Sequence, residues 1–336
     1  MGTRGYHSYR GRGSTGKKVL AIVLGVILVA AGAFLLLQNR YVVYDENGNA
    51  HWELPFGKNK DDGAAPTPDD VVIVREEPQR PQLTELHAQL LPENALRRDA
   101  QTVLSQHPDA LVIDVKLRDG TVTYQTSVDG GQYVTVGDEN SLENLRTLLQ
   151  SDRWTVARIS ALADHAYAKA RRDETALRRE DGGLWYDYDS MCWLDPNKPE
   201  TQQYLADLCA ECASLGFDEI LLDQFTYPTV GRLDRLQTGD VEKTAVLAAL
   251  TVRLREAIPK TTALSIELHS DPVADTDKSG LTLELVTGSF DRIYLDTADL
   301  PLATLQGELP ADYDQTVRLV PLVKQAAASG SYLQTN

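Results

Sequence analysis

From about residue 71 onward, short apolar runs alternate with stretches of helical period. The runs read as strands: "ELHAQLL" (85–91), "ALVIDVK" (110–116), "WTVARIS" (154–160), "EILLDQ" (219–224), "ALSIEL" (263–268), "RIYLDT" (292–297) and "VRLVPLV" (317–323), with a weaker "SYLQT" at the end. Several are apolar at successive positions, as strands buried on both faces must be. Between them, residues 142–150, 163–180, 200–215 and 241–258 read as helices. Such alternation over some 260 residues predicts a (β/α)8 TIM barrel, a fold of about 250 residues. The rival, an open doubly wound sheet, lacks its G-x-G-x-x-G turn after an early strand.

The N-terminal part follows another rule. Residues 19–37, "VLAIVLGVILVAAGAFLLL", are uncharged throughout. As a helix they would span roughly 28 Å, close to the hydrocarbon thickness of a bilayer. We therefore expect a transmembrane anchor over 19–38, with the lipid bilayer as its partner. A cleavable signal peptide competes, because "AAGA" offers small residues, but its apolar region is usually only about 7–15 residues long. Residues 1–18 carry Arg4, Arg10, Arg12, Lys17 and Lys18 and no acid. The positive-inside rule then keeps this tail cytoplasmic and sends the C-terminal domain outside, as a single-pass cell-membrane protein. Residues 39–70, rich in Gly, Pro, Asp and Asn, read as an extracytoplasmic linker, with a short hairpin expected around "YDENGNAHWEL". The barrel domain then occupies 71–336.

Charge and composition narrow the partners. The net charge of −16 becomes −21 once the basic tail is set aside. An acidic body with no basic stripe does not suit nucleic acid. Cys209 and Cys212 form a C-x-x-C pair within a helical stretch, where i and i+3 share a face. With no second pair to complete four ligands, they read as small buried residues. The six histidines show no H-x-x-x-H spacing. No metal and no cofactor is expected.

In a barrel of this class the active site gathers at the C-terminal strand ends. Charge concentrates there: Asp114 and Lys116 on "ALVIDVK", Arg158 on "WTVARIS", Asp223 on "EILLDQ", Glu267 on "ALSIEL" and Asp296 on "RIYLDT". An ionised carboxylate in an apolar run is costly unless paired or used. Pairing by Arg158 or Lys116 would make a structural ion-pair ring. The alternative is chemistry, and Asp223 with Glu267 on neighbouring strands are the candidate catalytic pair. Glycoside hydrolysis needs one carboxyl to protonate the leaving oxygen and another as nucleophile or base. Arg158 would keep Asp223 ionised, while a less polar setting would hold a proton on Glu267.

The loop "EDGGLWYDYDSMCWLDPNKPE" adds Trp185, Asp187 and Trp193. Aromatic faces beside carboxylates suit the C–H faces and hydroxyls of sugars. Equally, the tryptophans could pin the loop to the barrel. With Asp114, Lys116, Arg158, Asp296 and Tyr227, which follows Asp223 by four residues, they form the candidate substrate-binding set. Asp195 is read as a helix cap, "KARRDETALRRE" as a solvated helical face, Asp119-Gly120 as a turn, and His269 as either a ligand contact or a satisfied loop histidine.

Four segments, "ALVIDVKLRDGTVTY", "VARISALAD", "GGLWYDYDSMCWLDP" and "GFDEILLDQFTYP", resemble in order and spacing a bacterial family of glycoside hydrolase-type domains with a TIM-barrel fold, over roughly residues 85–325. The resemblance implies an extracytoplasmic, sugar-directed barrel, with its functional positions at Asp114, Lys116, Asp119, Arg158 and Asp223, and an Asp usual where this chain has Glu267. The family commonly continues past the fourth-strand acid as Tyr-Val-Arg-Phe-Pro, where Thr226 here stands in place of arginine, and has a Pro-Met-Tyr-Pro-like segment near "YLDTADL". The expected function is hydrolysis of a cell-envelope or extracellular polysaccharide. A non-catalytic carbohydrate-binding or envelope-organising barrel, and a metal-dependent deacetylase, are the alternatives.

Overall fold

The computed structural model describes residues 80–335, apart from 108, 131–136 and 240, together with two short strands nearer the N-terminus. The chain divides into two compact units, Met1–Val74 and Arg75–Asn336. In the first, Val42–Tyr44 pairs antiparallel with Ala50–Trp52, the hairpin expected around "ENGN". The expected membrane span at 19–38 lies outside the described residues. Among those described, no helix is long and apolar enough to cross a membrane.

The second unit is a closed barrel of eight parallel strands. They are β1 His87–Leu90, β2 Ala110–Lys116, β3 Thr155–Ser160, β4 Glu219–Asp223, β5 Ala263–Leu268, β6 Ile293–Leu295, β7 Leu319–Val323 and β8 Tyr332–Gln334. Each pairs with its sequence neighbours, and β8 closes on β1. The outer layer holds α1 Ala100–Gln106, α2 Glu139–Leu149, α3 Pro199–Leu215, α4 Lys243–Ala257, α5 Leu283–Ser289 and α6 Leu302–Glu308. Between β7 and β8 the chain runs through irregular structure instead of a helix.

Local chemistry sets the boundaries. Asp138 and Ser141 form a reciprocal capping box, so α2 starts three residues before its apolar period does. Pro199 opens α3, and Gly216, at φ 108, ends it in a left-handed turn that a β-carbon would strain. Asp195 does not cap α3; its carboxylate takes the Asn197 N–H just upstream. Cys209 and Cys212 are buried on α3, and burial pushes the Cys209 thiol up to about 12, which makes it unreactive. The helix expected over 163–180 breaks into short helices at His165–Ala170 and Arg172–Thr175, followed by a strand, Arg178–Arg179, that pairs with Leu236–Gln237. Bridges from Ala176 to Leu194 and from Arg178 to Leu184 fold this segment back onto the aromatic loop, and those tertiary pairings override the local helical pattern.

Alternation along each strand sorts residues into two cores. Outward residues such as Ile113, Ile220, Leu222 and Ile266 pack against the helices in one large cluster. Inward residues Ala88, Val112, Val156, Leu221, Tyr294, Val320 and Leu333 fill the middle of the barrel. Above and below that apolar layer the inward positions are charged. Below, the fully buried Glu219 and Arg292 pair at 2.6 Å. Glu219 also accepts from Trp154 Nε1 (2.8 Å), Ser265 Oγ (2.6 Å) and Tyr294 Oη (3.1 Å). Arg292 donates further to the Thr84 carbonyl at 2.9 Å, Leu86 N–H donates to Ser331 Oγ, and Arg80 lies 3.7 Å from Asp291. The segment entering the barrel is thereby fastened to its N-terminal end.

Candidate active site

The inward positions at the opposite end are Asp114 (β2), Arg158 (β3), Asp223 (β4) and Glu267 (β5), one from each of four consecutive strands. Strand register brings Asp114 beside Arg158 and Ser160 beside Asp223. A register shift between Asp114 and Lys116 sends the two side chains of β2 into different surroundings.

Arg158 is the hub. Its Nε and Nη2 donate to the two oxygens of Glu267 at 2.7 and 2.8 Å, a planar two-point contact. Nη1 donates to Asp114 at 3.0 Å, and Nη2 lies 3.0 Å from Asp223. The other oxygen of Asp223 lies 2.6 Å from His269 Nε2, and His269 Nδ1 lies 2.8 Å from Asp299. Asp223, Glu267 and His269 therefore present atoms all within 4.8 Å of one another.

One guanidinium shared by three carboxylates cannot satisfy them equally, and their ionisation splits. Burial opposes charge on Asp223, but Arg158 and His269 outweigh it and hold the carboxyl well below the usual range. Glu267 moves up, raised by burial and then by the charge of Asp223 against the pull of Arg158. Asp114 is raised by burial too, with Arg158 opposing. For His269, burial disfavours the cation, but the bond to Asp223, the charges of Asp223 and Glu267 and the bond to Asp299 win, lifting it to about 9.

The remaining sequence candidates occupy varied places. Asp296, at the end of β6, lines a cavity of about 820 Å³ together with Arg158, Glu267 and Lys324. Lys116 is fully buried, pairs with Asp164 at 3.0 Å and donates to the Ser160 carbonyl, so it is not the cation of the strand-end acids. Gly120, at φ 92, lies so close to Asp164 that a β-carbon would meet its Oδ1 at 2.4 Å. Trp185 is buried with Nε1 on the Arg232 carbonyl, which fastens one loop to another. Asp187 accepts from Trp193 Nε1 and from Arg118, each at 2.9 Å, as well as from two loop N–H groups. Tyr227 is buried beneath Lys243.

Trp193, Asp187 and Thr226 nevertheless line a second cavity of about 270 Å³, shared with Tyr188, His269 and Gln224. Tyr188, at 74% exposure, is the aromatic of this loop most open to solvent, whereas Trp185 and Trp193 are buried. Gln224, directly after Asp223, has φ 51, a left-handed conformation that non-glycine residues adopt at a cost and that recurs at functional sites. Sequence reasoning gave His269 no definite role and did not single out Asp299 or Gln224. The available signal for His269 was its position two residues beyond Glu267, on the same face if the strand direction persists.

The Asp223–Glu267–His269 group has the donor types of a metal site, as does His269 with Asp296 and Asp299. In the first, however, Arg158 already supplies the cation and the carboxylate oxygens are engaged.

An eight-stranded parallel barrel whose carboxylates converge beside a cavity at the strands' C-terminal ends has the make-up of a glycoside-hydrolase-like TIM barrel. The chain belongs to the family described as "Putative glycosyl hydrolase domain", whose model matches residues 88–281. No curated protein matches it. The alpha-galactosidase of Lactobacillus brevis is similar in fold, with TM-score 0.50 and 12% identity over 76% of this chain and 38% of that one. A hypothetical protein of Ruminiclostridium thermocellum shows 23% identity and TM-score 0.46 over 53% of this chain and 96% of its own. Ega3 of Aspergillus fumigatus, in complex with galactosamine, shows 10% identity and TM-score 0.42 over 74% and 81%.

Proposed function

We propose that this protein is a membrane-anchored, outward-facing glycoside hydrolase that cleaves a polysaccharide of the cell envelope or its surroundings, with Asp223 as nucleophile and Glu267 as acid/base. The observation that carries the reading is the meeting of these two acids within 4.8 Å on Arg158, with Glu267 lining the 820 Å³ cavity. Their opposed ionisation fits the division of labour: a carboxylate held charged, and a carboxyl biased toward keeping its proton. So close an approach favours retention, since inversion needs carboxyls about 6.5–9.5 Å apart to admit water.

In the first step Asp223 attacks the anomeric carbon, the glycosidic C–O bond breaks, and Glu267 gives its proton to the departing oxygen. In the second, Glu267 takes a proton from water, the resulting hydroxide forms the new C–O bond, and the bond to Asp223 breaks. In this reading Asp114 and Asp296 would meet sugar hydroxyls, and the exposed Tyr188 would meet a ring in the smaller cavity. The membrane span and outward orientation rest on the apolar run at 19–37 and the basic tail before it.

The test uses the full chain in detergent with cell-envelope polysaccharide, measuring release of reducing ends. Asp223→Asn and Glu267→Gln should each lower turnover by about 10²–10⁴-fold while glycan binding persists. A second reading, a carbohydrate-binding barrel without turnover, is favoured by the full engagement of both Asp223 oxygens and both Glu267 oxygens. It predicts binding without reducing-end release by either the unaltered protein or the variants.

A further inference from the structure

The ring of His269 lies between carboxylates from different elements. Nε2 is 2.6 Å from Asp223 Oδ1, at the end of β4, and Nδ1 is 2.8 Å from Asp299 Oδ2, in the loop after β6. Ionised carboxylates only accept hydrogen bonds, so a ring that bonds to both must donate from both nitrogens. Such a ring is an imidazolium. Other charged groups face it as well: Glu267 Oε1 of β5 at 3.5 Å from Nε2, and an oxygen of Asp296 within 4.8 Å. Arg158 of β3 is bonded to the opposite oxygen of Asp223, the one other cation on it among the described residues.

We propose that His269 is a positioning residue for Asp223 and that Asp299 is its partner: the carboxylate–imidazolium–carboxylate chain turns one Asp223 oxygen toward β5 while Arg158 holds the other. Asp299 offsets part of the imidazolium charge. His269 can thus orient Asp223 without placing a second uncompensated cation beside a nucleophile, which would blunt its attack. Asp299 is half exposed, so the chain also links the buried Asp223 to solvent. The assignment of Asp223 as nucleophile rests on the hydrolase reading; the chain of bonds does not.

The full chain, labelled with ¹⁵N-histidine and held in detergent, provides the test, with His269→Gln identifying the signal. At pH 7 His269 should carry hydrogen on both nitrogens and titrate near pH 9. Asp299→Asn should lower that midpoint by about one unit or more, and Asp299→Glu should restore much of it. A His269 ring with a single N–H at pH 7, a midpoint unmoved by Asp299→Asn, or displacement of the Nε2 proton by one equivalent of zinc would overturn the proposal. With a glycan that the protein cleaves, Asp299→Asn should lower kcat at least tenfold with KM nearly in place, and Asp299→Glu should restore much of it. An unmoved kcat would also overturn the positioning role. If no glycan is cleaved, the hydrolase reading fails, while the nitrogen signals still decide whether the chain exists.

Discussion

The barrel carries buried charge at both ends, and β4 contributes to each: Glu219 at its start and Asp223 at its finish, four residues apart on the same face. At the N-terminal end one acid meets one base, and Glu219 takes four donors from Arg292, Trp154, Ser265 and Tyr294. At the C-terminal end three acids crowd one arginine, a histidine joins them, and a large cavity adjoins. Burial is alike in the two places, with Glu219 at 0% and Glu267 at 1% side-chain exposure. The distinction is balance. A neutral, saturated pair serves as a plug, whereas the upper cluster leaves more acids than its cations can satisfy equally, beside open space.

That contrast can be broken by experiment. Arg292→Met should cost about 3–5 kcal/mol in urea unfolding, because it strands Glu219, and adding Glu219→Leu should recover most of the loss. The pH dependence of unfolding should isolate the other end. His269 is raised from 6.5 to about 9, so its contribution is fully present below pH 6.5 and disappears as pH climbs through 9. Unaltered protein should lose about 2 kcal/mol across that window relative to His269→Gln. Glu267→Gln should leave stability unchanged or raise it by about 1 kcal/mol, since it removes like-charge repulsion. A loss as large as that of Arg292→Met would make the upper cluster a second plug. Tyr188→Ala should shift stability by no more than about 0.5 kcal/mol, given its 74% exposure, yet weaken glycan binding measured by calorimetry.

The barrel was readable because its strands are nearly continuous apolar runs; 110–116 and 263–268 are matched residue for residue. Helices α1, α5 and α6 escaped notice, each only seven residues long and too short to show a clear period. The strand-end acids and Arg158 could be named because period two places them on one face. What could not be read was partnership. Lys116 is two residues from Asp114 yet pairs with Asp164, because a local bulge turns it aside. Trp185 and Trp193 had the composition of a sugar platform but are held inside the loop by Arg232 and Asp187, leaving Tyr188 exposed at the rim. His269 acquires its role from Asp299, thirty residues away, which spacing alone does not disclose.

The bond from Arg292 to the Thr84 carbonyl gives the plug a mechanical side. Tension on the chain ahead of residue 84 would pass the Arg80–Asp291 pair and then meet a guanidinium seated inside the barrel, beside Glu219. Force would be spread over several strands at once, and the cluster around Arg158 would lie at the far end of the cylinder from the point of pull.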